Sequence, residues 1–420
     1  PIACFYILCH YDTGMQHTRL RHVEPAFQKL CSFSPIVGIF GHRQVGKTTF
    51  LEAHSSDYLS LDDDAVLHEA QSHPRQFLSR MKGSGSAIDE CQLAPPLFPA
   101  LKLWVQKHKK PGQFLLSGSV RFTSRRAIRE SLTGRISTVE LFPFVLSEMR
   151  QDELPDFLCR ALEASSFTGF HLGAGLAANA RRSRQKDYDK YLECGGLPGL
   201  CFIREPQARD RLMQDLLRTV LDRDLRLVYE TPLPFSDLNA LCIELATTPL
   251  KSVEIAATSR KIGMAPRTLK HLLHAMESIF LLRTLPIEGG GRKGVITWFE
   301  DQYEQNFLAK GKLSSEAKRV GLAYRNARAQ FEYRLGATPS YFHYLTRAGS
   351  SIPLAIRSDK GVLGILPLES SQQLTRAAKG AISSFLRSYN NSKVLVTVDA
   401  DEKARVLDQR VLVAPVTLVY

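Results

Sequence analysis

The chain has 420 residues, too many for one ordinary hydrophobic core, so two or three domains are expected. Hydrophobic residues make up 44% and charged residues 23%, which are globular values, and the net charge of +13 favours a polyanionic partner, nucleic acid before anionic membrane. No apolar run approaches the ~20 residues of a membrane span, and the eight scattered cysteines form no C-x-x-C pair, so reduced thiols in a cytoplasmic protein are expected rather than a zinc site.

Residues 1–9 are apolar but lack the basic start and cleavage site of a leader, and read as a strand or packed arm. Residues 20–34 pattern as a helix with Val23, Phe27 and Leu30 on one face. The apolar run Ile36–Phe40 then reads as a buried strand. It runs into Gly41, His42, Arg43, Gln44, Val45, Gly46, Lys47, Thr48 and Thr49, which fit G-x-x-x-x-G-K-[ST], and Phe50–His54 continues as a helix. Strand, glycine loop and helix in that order make a phosphate cradle. Glycines let backbone N–H groups turn toward phosphate oxygens, and the helix N-terminus adds partial positive charge. Lys47 reaches the β- and γ-phosphates of ATP, and the Thr48 hydroxyl ligates Mg2+.

A short strand over 58–61 ends in Asp62, Asp63 and Asp64, which read as a solvated turn or helix cap. The next strand, 86–88, ends in Asp89 and Glu90. After a helical stretch, residues 113–119 form another strand with a polar end, and 139–142 closes the series. Alternating strands and helices predict a parallel α/β sheet, in which ligands bind at the carboxyl ends of strands. That rule singles out Asp89 to order Mg2+, directly or through water, and Glu90 as general base. Ser117 and Ser119, one strand on, are placed to hydrogen-bond the γ-phosphate or the attacking water. Arg135 is the candidate arginine finger, offered to a neighbouring subunit, with Arg125, Arg126 and Arg129 as alternatives.

Residues 145–240 pattern as mostly helical. Within them the small residues of 173–180 and the basic run of 181–186 read as a mobile surface loop. Lys251–Ala257 reads as one helix, Ile262–Met264 as a turn, and Ala265 onward as a second helix, a helix-turn-helix signature. Arg267, Lys270 and His271 on the second helix would face a DNA groove or its phosphates. The alternative is a helical pair that packs on protein. Gly289–Gly291 marks a tight loop or boundary. Beyond residue 330 the pattern turns strand-rich, over 341–345, 352–356, 362–368, 394–398 and 411–419, with one long helix near 370–388.

Several of these segments, in this order, resemble a prokaryotic family of AAA+-like ATPases with a C-terminal DUF4143 region. The matching pieces are Gly41–Thr49, Tyr58–Asp62, Ile88–Gln92 with Pro95 and Leu97–Pro99, Gly112–Ser119, Ser131–Arg135, Leu141–Phe144, Tyr191–Leu192 and Gly195–Pro198. The resemblance implies an α/β fold with three parts: a P-loop AAA+-like ATPase core over 1–150, a helical and winged-helix region over 151–295, and a restriction-endonuclease-like domain over 296–420. It also implies a homo-oligomer, a ring or hexamer among the forms open to it. Nucleases of that last fold hold Mg2+ with acids on adjacent strands beside a lysine. Here the corresponding positions are Pro353, Pro367 and Glu369, and an upstream helix that often offers a glutamate has Arg325 and Asn326. Proline has no side-chain oxygen to offer a metal, so this domain is expected to be inactive as a nuclease. The expectation is therefore an Mg2+-dependent ATPase that couples ATP to DNA binding or remodelling, with no membrane partner. A nucleotide-controlled switch or scaffold that binds a protein partner is the alternative.

Overall fold

The computed structural model describes residues 7–9, 17–81, 83–121, 132–172, 178–290, 294–334, 339–399 and 402–420. The chain forms two compact units made of interleaved segments. The first comprises Pro1–Phe144, Leu197–Phe235 and Lys270–Leu281, and the second comprises Val145–Gly196, Ser236–Leu269 and Leu282–Tyr420.

In the first unit, β1 (Ile7–Cys9) and β2 (His17–Arg19) pair as a small antiparallel ribbon. The main sheet is built from β3 (Ile36–Phe40), β4 (Asp57–Ser60), β5 (Ser86–Asp89), β6 (Phe114–Gly118) and β7 (Ile136–Glu140). Its order is β4-β5-β6-β3-β7, and every pair is parallel. The three strands buried along their whole length, β3, β5 and β6, are the apolar runs of the sequence, as a sheet covered on both faces requires. Helix Leu97–Lys107 presents Leu97, Phe98, Leu101 and Val105 to a core that also holds Ile36, Ile88 and Phe114. The last strand begins three residues earlier than its apolar pattern suggests and ends two earlier, with Leu141 and Phe142 buried beyond the strand end rather than within it.

The second unit carries an eight-stranded mixed sheet. Its strands are β8 (Leu282–Glu288), β9 (Val295–Phe299), β10 (Ser340–Leu345), β11 (Ser351–Ser358), β12 (Gly361–Pro367), β13 (Ser392–Val398), β14 (Arg405–Asp408) and β15 (Val411–Pro415). The order is β14-β15-β13-β12-β11-β10-β8-β9. The hairpin β8–β9 follows two helices, Ile255–Ile262 and Pro266–Ser278, and joins the sheet through parallel pairing of β8 with β10. Residues 295 and 296, where the sequence suggested a boundary, thus open a strand of this sheet. The strand expected over 411–419 stops at Pro415 and turns into the helix Val416–Val419.

One further expectation changes in the second unit. Residues 178–186, read as loop, belong to a helix, Ala178–Cys194. Alanine, arginine, glutamine and lysine are all good helix formers, and Tyr188 and Tyr191 bury its inner face. Pro353 lies in an interior strand, where the register with β10 shifts between Phe342 and Tyr344. That bulge accommodates a residue with no N–H, and the Pro353 carbonyl accepts from His343 Nδ1 at 3.1 Å. Among the described residues no helix is long and apolar enough to cross a membrane.

Candidate active site

The phosphate loop sits at the carboxyl end of β3. Gly46 adopts a left-handed conformation (φ 93°) and caps helix Lys47–His54. Gly41 is constrained differently: a Cβ there would overlap the backbone carbonyl of Leu141. That carbonyl is fixed because the Leu141 N–H donates to Phe40 O at 2.7 Å, which holds β7 against β3. Arg21, 1% exposed, braces the loop from behind, donating to Val45 O at 2.8 Å and Phe142 O at 2.5 Å. It is a structural support for the loop that no local motif announces.

Lys47 is 6% exposed and folds over the loop, donating to Gly41 O at 3.0 Å and His42 O at 2.9 Å. Burial pulls its amine below the ordinary lysine value, against the opposing charges of Glu90 and Asp89. Thr48, the next residue, is exposed at the mouth, and its hydroxyl donates to Asp89 Oδ2 at 2.6 Å. The two expected Mg2+ ligands are therefore in contact.

Asp89 collects further donors. Tyr58 OH reaches Oδ2 at 2.8 Å, the Glu90 N–H reaches Oδ1 at 2.9 Å, and the Ser117 hydroxyl also donates to Oδ1. Ser117 can do this because β6 lies between β3 and β5 in the sheet. Burial, then the Asp89 charge, raises the Tyr58 phenol's pKa, so it remains a donor. Glu90 leaves the strand with a left-handed φ of 53°. Its carboxylate accepts from Gln92 Nε2, whose amide also lies 3.5 Å from Ser119 Oγ. Ser117 thus attends the acid, whereas Ser119 sits beside the glutamine that orients Glu90.

Two other loop residues face the returning segment Leu197–Phe235 of the same unit. Arg43 forms a fork with Asp224, Nε to Oδ2 at 2.9 Å and Nη2 to Oδ1 at 3.1 Å. Gln44, with φ 64°, places its side chain beside Gly199. Among the three acids after β4, Asp63 caps helix Asp64–Ser72 and Asp62 pairs with Arg223 at 2.7 Å, in line with the turn-or-cap reading.

Arg135 lies at the opposite end of the sheet. It immediately precedes β7, whose register with β3 pairs Ile136 with Ile36 and Glu140 with Phe40. Five residues of parallel strand, about 3.3 Å each, separate it from the loop, about 17 Å in all. Its Nη1 donates to Thr133 O at 3.2 Å, and it lines a pocket of about 580 Å3 with Lys109, Lys110 and Phe33. Arg135 therefore does not serve the phosphate loop of its own chain. Arg125, Arg126 and Arg129 lie outside the described residues.

On helix Pro266–Ser278, Arg267, Lys270 and His271 are all exposed, whereas Leu269, Leu272, Leu273 and Met276 are buried. Gly263 closes the preceding helix with φ 68°. His271 differs from its two neighbours because its ring packs edge-on against Tyr229 at 5.6 Å.

In the second unit, Arg325 is buried and donates to the carbonyls of Phe299 at 2.7 Å and Glu300 at 2.9 Å, and to Gln302 Oε1 at 2.8 Å. Asn326 Oδ1 accepts from Leu146 N at 3.1 Å. These two positions therefore tie backbone segments together. Glu369 and Asp399 both approach Arg319, each at 3.4 Å. Among the described residues no three His, Cys, Asp or Glu side chains gather in a way that would hold a metal ion.

A parallel sheet with a phosphate loop at one strand end and an acid pair two strands away is the arrangement of a P-loop nucleotide-binding core. Residues 33–150 match the family model described as an AAA domain, so this segment is an AAA-type P-loop ATPase domain. The chain is 35% identical over 255 residues to an uncharacterized protein of Mycobacterium tuberculosis and, equally, to one of Mycobacterium bovis. The aligned part is 60% of this chain and 50% of each relative, so the chain spans about half the length of the curated relatives it matches. Among solved structures it is similar to a Walker-type ATPase of Pyrococcus abyssi, with a TM-score of 0.41 and 13% identity over 68% of this chain and 94% of that one. It is also similar to AMPPCP-bound DnaA from Aquifex aeolicus, with a TM-score of 0.23 and 16% identity over 61% of this chain and 85% of that one.

Proposed function

We propose that the chain is an Mg2+-dependent ATPase that couples ATP binding and hydrolysis to DNA engagement as a homo-oligomer, a ring or hexamer among its forms. The observation that carries the ATPase half is the contact of Thr48 with Asp89 at 2.6 Å, with Lys47 and Glu90 beside it. Thr48 and Asp89 supply hard oxygen donors, which suit Mg2+, and the ion would neutralise charge on the β- and γ-oxygens. The loop N–H groups of Gly41–Thr49 hold the phosphates, and Lys47 exchanges its two carbonyl partners for phosphate oxygens.

Hydrolysis then needs a positioned water. Glu90, oriented by Gln92, takes a proton from that water as its oxygen bonds to the γ-phosphorus. The bond from the γ-phosphorus to the β,γ-bridging oxygen breaks, the electron pair stays on ADP, and phosphate leaves. Ser117 keeps Asp89 in place, and Ser119 acts beside Gln92. Arg135 acts on the phosphate of a neighbouring subunit, a role its place at the far end of the sheet suits.

The DNA half is supported by the exposed Arg267 and Lys270 on the second helix of the helix-turn-helix, by the hairpin β8–β9 that follows it, and by the net charge of +13. The nuclease-like region serves as a binding fold, with Arg325 and Asn326 in structural use. The test is ATP turnover with and without duplex, forked and four-way DNA at about 50 and 200 mM salt. The proposal expects stimulation that falls with salt, vanishes in Lys47→Ala and weakens in the Arg267→Ala, Lys270→Ala double variant. Turnover indifferent to every DNA would favour the second reading, a nucleotide-controlled scaffold for a protein partner. The packing of His271 on Tyr229 favours that alternative, because it commits part of the helix face to protein.

A further inference from the structure

We propose that Arg43 is a second cation for the nucleotide triphosphate within its own subunit, and that Asp224 is the residue that positions it. The inference rests on the ATPase reading and adds to it a residue from outside the phosphate loop. It starts from a deficit. The triphosphate carries its extra charge on the γ-phosphate, and Arg135 is at the wrong end of the sheet to meet that charge in the same chain. Lys47 is the cation of the G-x-x-x-x-G-K-[ST] motif, and Arg43 is the one other Lys or Arg in Gly41–Thr49.

Arg43 is held ready rather than free. Two of its donors are fixed on Asp224, which is 2% exposed, and the guanidinium remains 19% exposed. A guanidinium has five N–H donors in a rigid fork, so the pair leaves donors available to a phosphate while the side chain's rotamer freedom is already spent. Burial works against the Arg43 charge. The hydrogen bond and charge of Asp224, then the charges of Glu90 and Asp62, outweigh burial and hold the group above its ordinary value.

The backbone around Asp224 is specialised for this contact. Helix Pro206–Thr219 widens into a π-helical turn over Val220–Asp224 before resuming as Leu225–Val228. Such an insertion rotates the residues after it relative to a regular helix, and π turns recur at functional sites. Here the widened turn ends on the carboxylate that meets the loop.

The decisive comparison is between ATP and ADP, because a γ-phosphate cation distinguishes them and a merely structural ion pair does not. The full chain and its Arg43→Gln, Arg43→Lys and Asp224→Asn variants are titrated with Mg2+-ATP and Mg2+-ADP, with turnover and thermal melting measured in parallel. The proposal expects Arg43→Gln and Asp224→Asn to weaken ATP binding about tenfold or more, the scale of a lost charged hydrogen bond, with ADP affinity within about twofold. Arg43→Lys should recover part of the ATP preference. Equal losses for ATP and ADP, or a lower melting temperature with an unchanged ATP-to-ADP ratio, would overturn it. If Asp224→Asn does not fold, Arg43→Gln, at a partly exposed position, decides by the same ratio. A wild-type chain that neither binds nor hydrolyses ATP overturns the ATPase reading as well, whereas loss in Lys47→Ala with normal Arg43→Gln overturns this inference alone.

Discussion

Replacing Gly41 with alanine is a sharp perturbation of the loop because only one atom is added. Gly41 needs no left-handed φ, so the change carries no backbone-conformation penalty. The new Cβ overlaps the Leu141 carbonyl, and restoring the 3.0 Å floor of real Cβ contacts requires a displacement of roughly 1 Å. That carbonyl cannot swing aside cheaply, since its residue's N–H is bonded to Phe40 O at 2.7 Å. Overpacking of this kind costs about 1–3 kcal/mol, equivalent to roughly 2–12 °C in melting temperature for a domain of ordinary size. A loop displaced by about 1 Å should also lose on the order of a hundredfold in turnover. The assay pairs thermal melting with ATP turnover and uses Gly380→Ala as the comparison. Gly380 lies in helix Arg376–Ser388 with nothing within 4 Å of its added Cβ, so that variant should gain about 0.5–1 kcal/mol. Gly41→Ala that melts and turns over like the parent would refute the claim that close approach, rather than motif membership, demands glycine there.

Glu90→Gln should retain ATP binding while turnover falls by at least about a hundredfold, the usual span of general-base catalysis, and single-turnover kinetics would expose any surviving base. Lys47→Met should abolish ATP binding yet stabilise the ligand-free protein. The lysine's folded pKa is lowered, so the folded state binds fewer protons than the unfolded state in the interval up to the ordinary lysine value of 10.5. The wild type therefore gains stability as pH rises through that interval, and the melting-temperature gap to Lys47→Met should narrow; a gap that widens with pH contradicts the assignment. Arg135→Ala should lower turnover only at concentrations that support assembly, and equal effects on dilute and concentrated protein would remove it from the neighbouring site. Gln92→Ala should lower turnover more than ATP affinity, because it releases Glu90 rather than the phosphates; a change confined to affinity would place Gln92 elsewhere.

The sequence makes the phosphate loop and the Asp89–Glu90 pair readable because each is a contiguous pattern at the end of an apolar run. The strands of the second unit are readable for the same reason, apart from β14, whose four residues are all exposed and carry no burial pattern. The residues that complete the site are less visible. Tyr58 and Ser117 reach Asp89 from positions 31 and 28 residues away, and Asp224 reaches Arg43 across 181 residues. No periodicity encodes such meetings; they follow from strand order and from the chain's return to the first unit. The basic helix at 178–194 was obscured because its composition is that of a solvated surface, with helix propensity as its main sign.

The position of Arg135 at the amino end of β7, against a phosphate loop at the carboxyl end of β3, has a genetic consequence. If catalysis joins the loop of one copy to the arginine of the next, the two lesions fall in different halves of a shared unit. Chains carrying Lys47→Ala and chains carrying Arg135→Ala, each inactive alone, would then complement when mixed, because some junctions would pair an intact loop with an intact arginine. A heterozygous cell would keep part of the activity that either lesion abolishes by itself, while a single chain bearing both changes would rescue neither.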